Sequence, residues 1–184
     1  MKVIPYEEKY REACHDICIH TGSPDNLVNK QHHDFSLLMY CDPYLDHGNN
    51  FLLMNDEDEA VGYVLSISDY NSFKDYMQGY FEKIKEVAPS FVYRCDISEY
   101  EPYKDIYPAH LHIDILEKGT GKGNGTMLMK TLLNSLKEDG VKGIMVGVAK
   151  DNIRAFNFYK KMGFEVLEEN EGGYTLGQSL VEEK

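Results

Sequence analysis

His110-Leu111-His112-Ile113-Asp114-Ile115-Leu116-Glu117-Lys118-Gly119-Thr120-Gly121-Lys122-Gly123-Asn124-Gly125 is the stretch whose reading decides the fold. His110 to Leu116 reads as a buried strand, and glycines at 119, 121, 123 and 125 form the loop that leaves it. A helix begins near Asn124, because Leu128, Met129, Leu132, Leu133 and Leu136 recur at the spacing of one helical face. Small residues let a ligand come close to the backbone, and the first turn of a helix has amides without intrahelical acceptors. Gly121 to Thr126 therefore make a socket for an anion, a phosphate above all, with Lys118 and Lys122 adding positive charge. A Walker loop needs Ser or Thr after Gly-Lys, whereas Gly121-Lys122 is followed by Gly123. A dinucleotide fingerprint needs glycine at its sixth position, which falls here on Asn124, Thr126 or Leu128.

Within the strand, His110, His112 and Asp114 alternate with Leu111, Ile113 and Ile115 and so share one face. Three ionisable groups there are costly unless they are paired or line a cavity, and burial moves their titration. Two readings stand. His112 and Asp114 are the base or acceptor-binding groups of a reaction, or they belong to a histidine–aspartate network that only fixes the strand.

A second block lies downstream: Asp151-Asn152-Ile153-Arg154-Ala155-Phe156-Asn157-Phe158-Tyr159-Lys160-Lys161-Met162-Gly163-Phe164. It resembles the Asn-x-x-Ala-x-x-Phe-Tyr-x-Lys-x-Gly-Phe signature of the GNAT acetyltransferase superfamily. Gly123-Asn124-Gly125, with Thr120 at the Gln/Arg position, resembles that family's pyrophosphate loop. The likeness is specific over residues 110–167 and faint before them. Tyr107-Pro108-Ala109-His110-Leu111-His112-Ile113-Asp114 also resembles a narrower branch, the acetyltransferase-like modules related to the C-terminal region of bacterial O-GlcNAcases. One departure stands out. The family commonly carries Pro-Glu-Tyr-Gln before the glycines, where this chain has Glu117-Lys118-Gly119-Thr120, a more flexible loop with a weaker expected hold on the coenzyme.

The resemblance implies an α/β fold with a mixed, mostly antiparallel central sheet, helices on both faces, and strands splayed where the coenzyme binds. It implies one domain over residues 1–184, with an acceptor-side half at 1–109, a helical insertion at 70–107, and an acetyl-CoA half at 110–184. The implied reaction is attack of an amine on the thioester of the cosubstrate acetyl-CoA, without a metal. Ile113, Ile115 and Leu116 would offer a strand edge to the pantetheine arm. Thr120, Gly121, Lys122, Gly123, Asn124, Gly125 and Thr126 would hold the pyrophosphate. Asn152 would hydrogen-bond the arm, Phe158 would pack near it, and Lys161 lies a turn further on. Tyr159 would protonate the departing thiolate, since a phenol of ordinary pKa about 10 keeps its proton near neutrality; its other reading is a tyrosine packed on the sheet. For the chain as a whole, the alternatives are a weak or inactive acyl-CoA-binding module, or transfer to a hydroxyl.

Composition narrows the classes further. The 184 residues are 42% apolar, ordinary for a globular protein, and long enough for one domain with a sizeable core. No run reaches the roughly 18 apolar residues of a spanning helix, and Met1 to Glu8 turns acidic before any signal-peptide core, so a cytoplasmic location is expected. Thirty-one acidic against 19 basic residues give a net charge of −12, which repels nucleic acid and anionic membrane. That field serves either solubility or the steering of a cationic substrate. The expected acceptor is a small-molecule amine or a protein amino group, bound by a monomer or homodimer. Cysteines at 14, 18, 41 and 95 make no disulfide framework, and Cys14 and Cys18 read as small core residues rather than metal ligands.

The remaining segments supply a scaffold. Lys2–Pro5 reads as a strand, Tyr6–His20 as a helix, Leu27–Tyr40 as partly helical, and Asp42–Gly48 as loop. Phe51–Met54 and Ala60–Ser68 form a hairpin, with Gly62 marking a bulge. Ser72 with Asp75 starts an amphipathic helix that runs to Val87 with Phe73, Tyr76, Met77, Tyr80, Phe81, Ile84 and Val87 on one side. Pro89–Pro108 is aromatic and acidic, with a short strand at Phe91–Arg94, and forms an acceptor wall or an ordered surface loop. Gly143–Ala149 is a buried strand, Asp151 or Asn152 caps a helix to Met162, and Phe164–Glu168 with Gly173–Leu176 close the chain as a hairpin.

Overall fold

A computed structural model describes residues 1–181. Strands β1 (Lys2–Pro5), β2 (Phe51–Met54), β3 (Ala60–Ile67), β4 (Ala109–Ile115), β5 (Gly143–Ala149), β6 (Glu165–Glu169) and β7 (Gly173–Ser179) form a single sheet. Their order is β1-β2-β3-β4-β5-β7-β6. Only the central β4–β5 pair is parallel; every other neighbouring pair is antiparallel. The mixed, mostly antiparallel sheet implied by the resemblance is the one observed.

Helices cover both faces. On one side lie α1 (Arg11–Thr21), α2 (Lys30–Tyr40), α3 (Asp42–His47) and α4 (Tyr70–Val87), whose Cys14, Ile17, Phe35, Phe73, Met77 and Ile84 are buried against Tyr63 and Leu65 of β3. On the other lie α5 (Asn124–Glu138) and α6 (Ile153–Lys161). There Leu128, Met129, Leu132 and Leu136 meet Val64, Leu111, Ile144 and Val146 from the sheet. The predicted alternation along β4 holds, with Leu111 in this second core and His110 turned to the first side against Tyr44 and Phe73.

Several local expectations are corrected. Asp42–Gly48 is not loop but the helix α3, because Pro43 suits a first helical turn and burial of Tyr44 and Leu45 holds it to the core. Arg11 adds ion pairs to Asp42 at 2.8 Å and Asp46 at 2.5 Å. The helix read from Tyr6 begins only at Arg11, since the Tyr6 amide donates to Asn50 O and extends the β1 path. Asp69, not Ser72, caps α4 by accepting from the Ser72 amide at 2.8 Å. Its apolar stripe is narrower than read, with Tyr76 and Val87 exposed. Phe91–Arg94 is a 3-10 turn rather than a strand, and its Phe91 ring stacks on Phe35 at 5.3 Å. The bulge falls beside Gly62 as read, where pairing with β2 skips from Gly62 to Ala60.

One constraint places α3 relative to the sheet. Asn50, 5% exposed, donates from Nδ2 to Tyr44 O at 2.7 Å and accepts at Oδ1 from the Ser66 amide at 3.1 Å. Gly48 beside it leaves no room for a side chain, since a Cβ there would lie 2.2 Å from Ser66 O. Asn50→Ala strands the buried Ser66 amide and removes one of the two donors to Tyr44 O, which keeps the Gly48 amide, so it should lower the unfolding free energy by about 1–3 kcal/mol in urea titration. A loss below about 0.5 kcal/mol would show that α3 is held by its apolar contacts alone.

Candidate active site

The site begins where β4 and β5 part. Only Ala109↔Ile144 and His110↔Met145 are paired across them. Beyond His110, the β5-facing edge of β4 has no strand partner, while its other edge pairs with β3 from His110 to Ile115. β5 is paired with β7 along its whole length, Gly143 to Ala149. Neither strand can swing to close the gap without breaking its other ladder.

A groove of about 420 Å³ runs from this gap to the start of α5. Ile113, Asp114 and Ile115 line it from the strand, and Thr120, Gly121, Gly123, Asn124, Gly125 and Thr126 from the loop and first helical turn. Asn152, Phe158 and Tyr159 line it from the α6 side. Leu116, Lys122 and Lys161 are not among its lining residues: Leu116 packs toward the first core and Lys161 is exposed at the far end of α6. Thr21 and Arg154 also line the groove. Sequence reasoning missed both, though Arg154 was marked by its place in the first turn of α6, beside Asn152.

The loop has the backbone a phosphate cradle needs. Gly121, Lys122 and Gly123 have φ of +84°, +51° and +77°, and both glycines face open space. Gly125 and Thr126 lie in the first turn of α5, where amides lack intrahelical acceptors. Asn124, buried, donates from Nδ2 to Gly119 O at 2.8 Å and ties the loop to the helix. Lys118 brings less free charge than the sequence suggests, because Glu59 pairs with it at 2.9 Å. The cradle fits a diphosphate through its amides, and the free edge of β4 fits an extended, amide-bearing arm.

A second cavity, of about 470 Å³, adjoins β4 and β5. His112 of β4 lines it, whereas the next residues along the strand, Ile113 to Ile115, line the groove. Tyr40 of α2, Tyr44 of α3, Phe73 of α4 and Tyr100 of the segment before β4 supply aromatic walls. His112 stands edge-on to Tyr44 with ring centroids 4.9 Å apart. A Cβ on Gly147 of β5 would lie 3.2 Å from the Tyr100 hydroxyl and 3.4 Å from a Glu99 carboxylate oxygen, so both groups crowd the β5 backbone there. The segment 89–108 thus contributes wall to this cavity, through Arg94, Asp96, Ile97, Glu99 and Tyr100.

Burial sets the protonation of the central groups. Tyr159, 5% exposed, is raised above the ordinary phenol range, first by desolvation and then by the Asp114 carboxylate. Asp114 is raised by desolvation, which outweighs the opposing hydroxyls of Tyr63 and Thr21. Desolvation lowers His112 to about 4 and His110 to about 3. His110 is 0% exposed; its Nε2 meets the Tyr44 hydroxyl at 2.9 Å and its Nδ1 has no partner. The Tyr63 hydroxyl is likewise buried without a partner of good geometry. Among the described residues no group of three His, Cys, Asp or Glu could hold a metal ion, and no helix is long and apolar enough to cross a membrane.

A sheet whose one parallel pair opens toward a helix N-terminus is the fold that the resemblance implies. Residues 17–164 match the acetyltransferase (GNAT) family, and the chain belongs to it. Among solved structures, that of SsHAT is 29% identical with a TM-score of 0.83, covering 98% of each chain. The structure of yncA from Salmonella typhimurium, solved with its cofactor acetyl-CoA, is 14% identical with a TM-score of 0.59; the match covers 100% of this chain and 96% of that one, and shows the shared fold. The uncharacterized N-acetyltransferase YobR of Bacillus subtilis (strain 168) is 32% identical over 66 residues, 36% of this chain and 27% of YobR's length.

The histidine pKa shifts carry a sign. A histidine whose folded pKa lies below its unfolded value binds fewer protons when folded, so stability falls as pH drops below about 6.5. For His110 that loss continues down to its folded value of about 3. His110→Phe should flatten the pH dependence of urea stability between about pH 6 and 4 by roughly one proton, about 1.4 kcal/mol per pH unit. Equal slopes for the two proteins would show that His110 takes up its proton without unfolding.

Proposed function

We propose that the protein is an N-acetyltransferase in which an amine attacks the thioester of acetyl-coenzyme A directly. The observation that carries this reading is the meeting of groove and cavity on β4: His112 lines one, and Ile113 to Ile115 line the other. The coenzyme supplies an acetyl group already activated as a thioester. The free edge of β4 offers backbone donors and acceptors to an amide-rich arm, and the amides of Gly121 to Thr126 hold a diphosphate. Asn152 spends Oδ1 on the Ala155 amide at 3.1 Å, which leaves its NH2 for the arm.

The proton steps follow from burial. Tyr159 remains a phenol through the neutral range and gives its proton to the sulfur as the C–S bond breaks. Between the two candidate bases Asp114 is the better acceptor, because burial brings its carboxyl toward working pH while it carries the His112 imidazole away. Asp114 takes the proton the amine loses as the N–C bond forms, directly or through water. His112 stays neutral and faces the acceptor.

The chain acts as one domain, residues 1–109 supplying half of the residues that line the cavity and 110–184 all but Thr21 of those that line the groove. Each side borrows from the other: Thr21 lines the groove, and Gly147 and Thr175 line the cavity. A cavity of about 470 Å³ suits a small-molecule amine better than a protein amino group. One observation favours a second reading, a weak or inactive acyl-CoA-binding module. The Thr120 hydroxyl bonds Glu117 O at 2.9 Å and Lys118 is held by Glu59, so neither is free to meet a phosphate.

Titration calorimetry with acetyl-coenzyme A and a thiol-release assay over an amine panel separate the two; binding with no turnover on any amine favours the second. Tyr159→Phe should lower kcat by about 100-fold or more while the Kd for acetyl-coenzyme A stays within about twofold. A variant with unaltered kcat would remove Tyr159 from the chemistry.

A further inference from the structure

Within the N-acetyltransferase reading, on which this inference rests, we propose that the cavity takes a zwitterionic α-amino acid with an apolar or aromatic side chain. Its carboxylate docks on Arg94 and its amine on Glu99.

Arg94 and Glu99 carry the argument, two charged side chains of the cavity wall with no ion pair among the described residues; the third charged group there, Asp96, accepts from the Ser98 amide. The Arg94 guanidinium lies 4.9 Å from the Phe35 ring centroid and beside the Tyr40 hydroxyl. It is held in place, yet it makes no ion pair among the described residues. Among the described residues it is the one Lys or Arg side chain that lines the cavity. Nearby Glu101, by contrast, is matched by Lys74 at 3.0 Å and Lys104 at 2.5 Å. Glu99 likewise has no cationic partner among the described residues. Desolvation raises its carboxyl, the Tyr100 hydroxyl opposes that, and Asp96 and Glu168 add to the rise. Those two acids are already engaged, Asp96 by the Ser98 amide at 2.8 Å and Glu168 by the Tyr103 hydroxyl at 2.8 Å.

Arg94 and Glu99 both line the cavity but do not pair with each other, so a group can be inserted between them. A molecule with one carboxylate and one ammonium satisfies both at no net charge. A simple amine leaves the guanidinium unmatched, and a diamine sets a second cation against it. The Glu99 carboxylate lies over Gly147, where β5 has left β4, so an amine docked there stands at the open gap. Half-buried Tyr40, with Tyr44, Phe73 and Tyr100 packed behind, gives the cavity an aromatic wall for an apolar side chain. A planar guanidinium held by a ring and a hydroxyl is suited to a bidentate carboxylate.

Three pairs that differ only by the carboxylate test the proposal: phenylalanine and phenethylamine, tyrosine and tyramine, leucine and 3-methylbutylamine. The amino acid of each pair should have the higher kcat/KM, by about tenfold. Calorimetry in the presence of coenzyme A should show the same order in Kd. Arg94→Gln, a change at an exposed side chain, should raise KM for phenylalanine about tenfold, leave its kcat nearly unchanged, and leave phenethylamine unaffected. Glu99→Gln should weaken both members of a pair. Equal or better use of the amine, preference for putrescine, or an equal effect of Arg94→Gln on both members would overturn the inference and leave the transferase standing. Absence of acetyl-coenzyme A binding would instead overturn the proposed function, and the inference with it.

Discussion

Two hydrogen-bonded ladders pull the centre of the sheet apart, and the rest of the molecule is arranged around that separation. β4 is committed to β3 through six residues, Ile115 to His110, and β5 to β7 through seven, Gly143 to Ala149. Between them only two residue pairs form. Unpaired backbone groups inside a sheet are costly unless something else satisfies them. On β5, Tyr100 crowds the Gly147 backbone, and that amide acts on the Tyr100 hydroxyl. On β4, the edge at Ile113 to Ile115 is left to the groove. The cost of an open edge is thus kept at the one place where an extended ligand can recover it.

The electrostatics divide along the same line. An acyl-coenzyme A is anionic and the chain carries a charge of −12, so the global field opposes binding. Local amides have to prevail over it. Three of the four acids from Asp56 to Glu59 are paired: Asp56 with the N-terminus, Asp58 with Lys2, and Glu59 with Lys118. These pairs are exposed and contribute little to stability. Their effect is to reduce the free negative charge near the glycine loop. The acids that line the cavity, Asp96 and Glu99, have no cationic partner among the described residues, and in the proposed reaction the same negative field draws an amine inward.

Much of this was legible in the sequence, and the exceptions have a common cause. The strand, glycine loop and helix from 109 to 138, and the helix after Asn152, are local features whose periodicity and capping residues lie within a few positions of each other. Most residues that line the groove from those segments were accordingly named, Arg154 and Ala155 being the exceptions. α3 was not, because Asp42-Pro43 and Asp46-His47-Gly48 are turn-forming in composition; what makes them helical is Arg11, 31 and 35 residues away, together with the burial of Tyr44. Tertiary contact overrode local preference. The cavity was hidden for the same reason, since Tyr40, Tyr44, Phe73 and Tyr100 come from four separate segments. The one available signal was the segment before Pro108, where tyrosines interleave with acids at no regular spacing.

The polar row on β4 resolves into two tasks when its hydrogens are assigned. His110 has one partner, the Tyr44 hydroxyl at Nε2, and an unpartnered Nδ1 inside a box formed by Phe73 at 4.3 Å and Tyr100 at 5.1 Å between ring centroids. Were Nδ1 protonated, a buried N–H would go unsatisfied, and such groups are rarer than under-used acceptors. The proton therefore belongs on Nε2, which donates to the Tyr44 oxygen. Tyr44 then accepts from His110, and its own hydrogen is free to turn toward the cavity it lines. Burial keeps His110 neutral, so this direction holds across the physiological range. His110 thus orients a donor toward the acceptor site, while His112 and Asp114, two and four residues further along the same face, meet the cavity and the groove themselves.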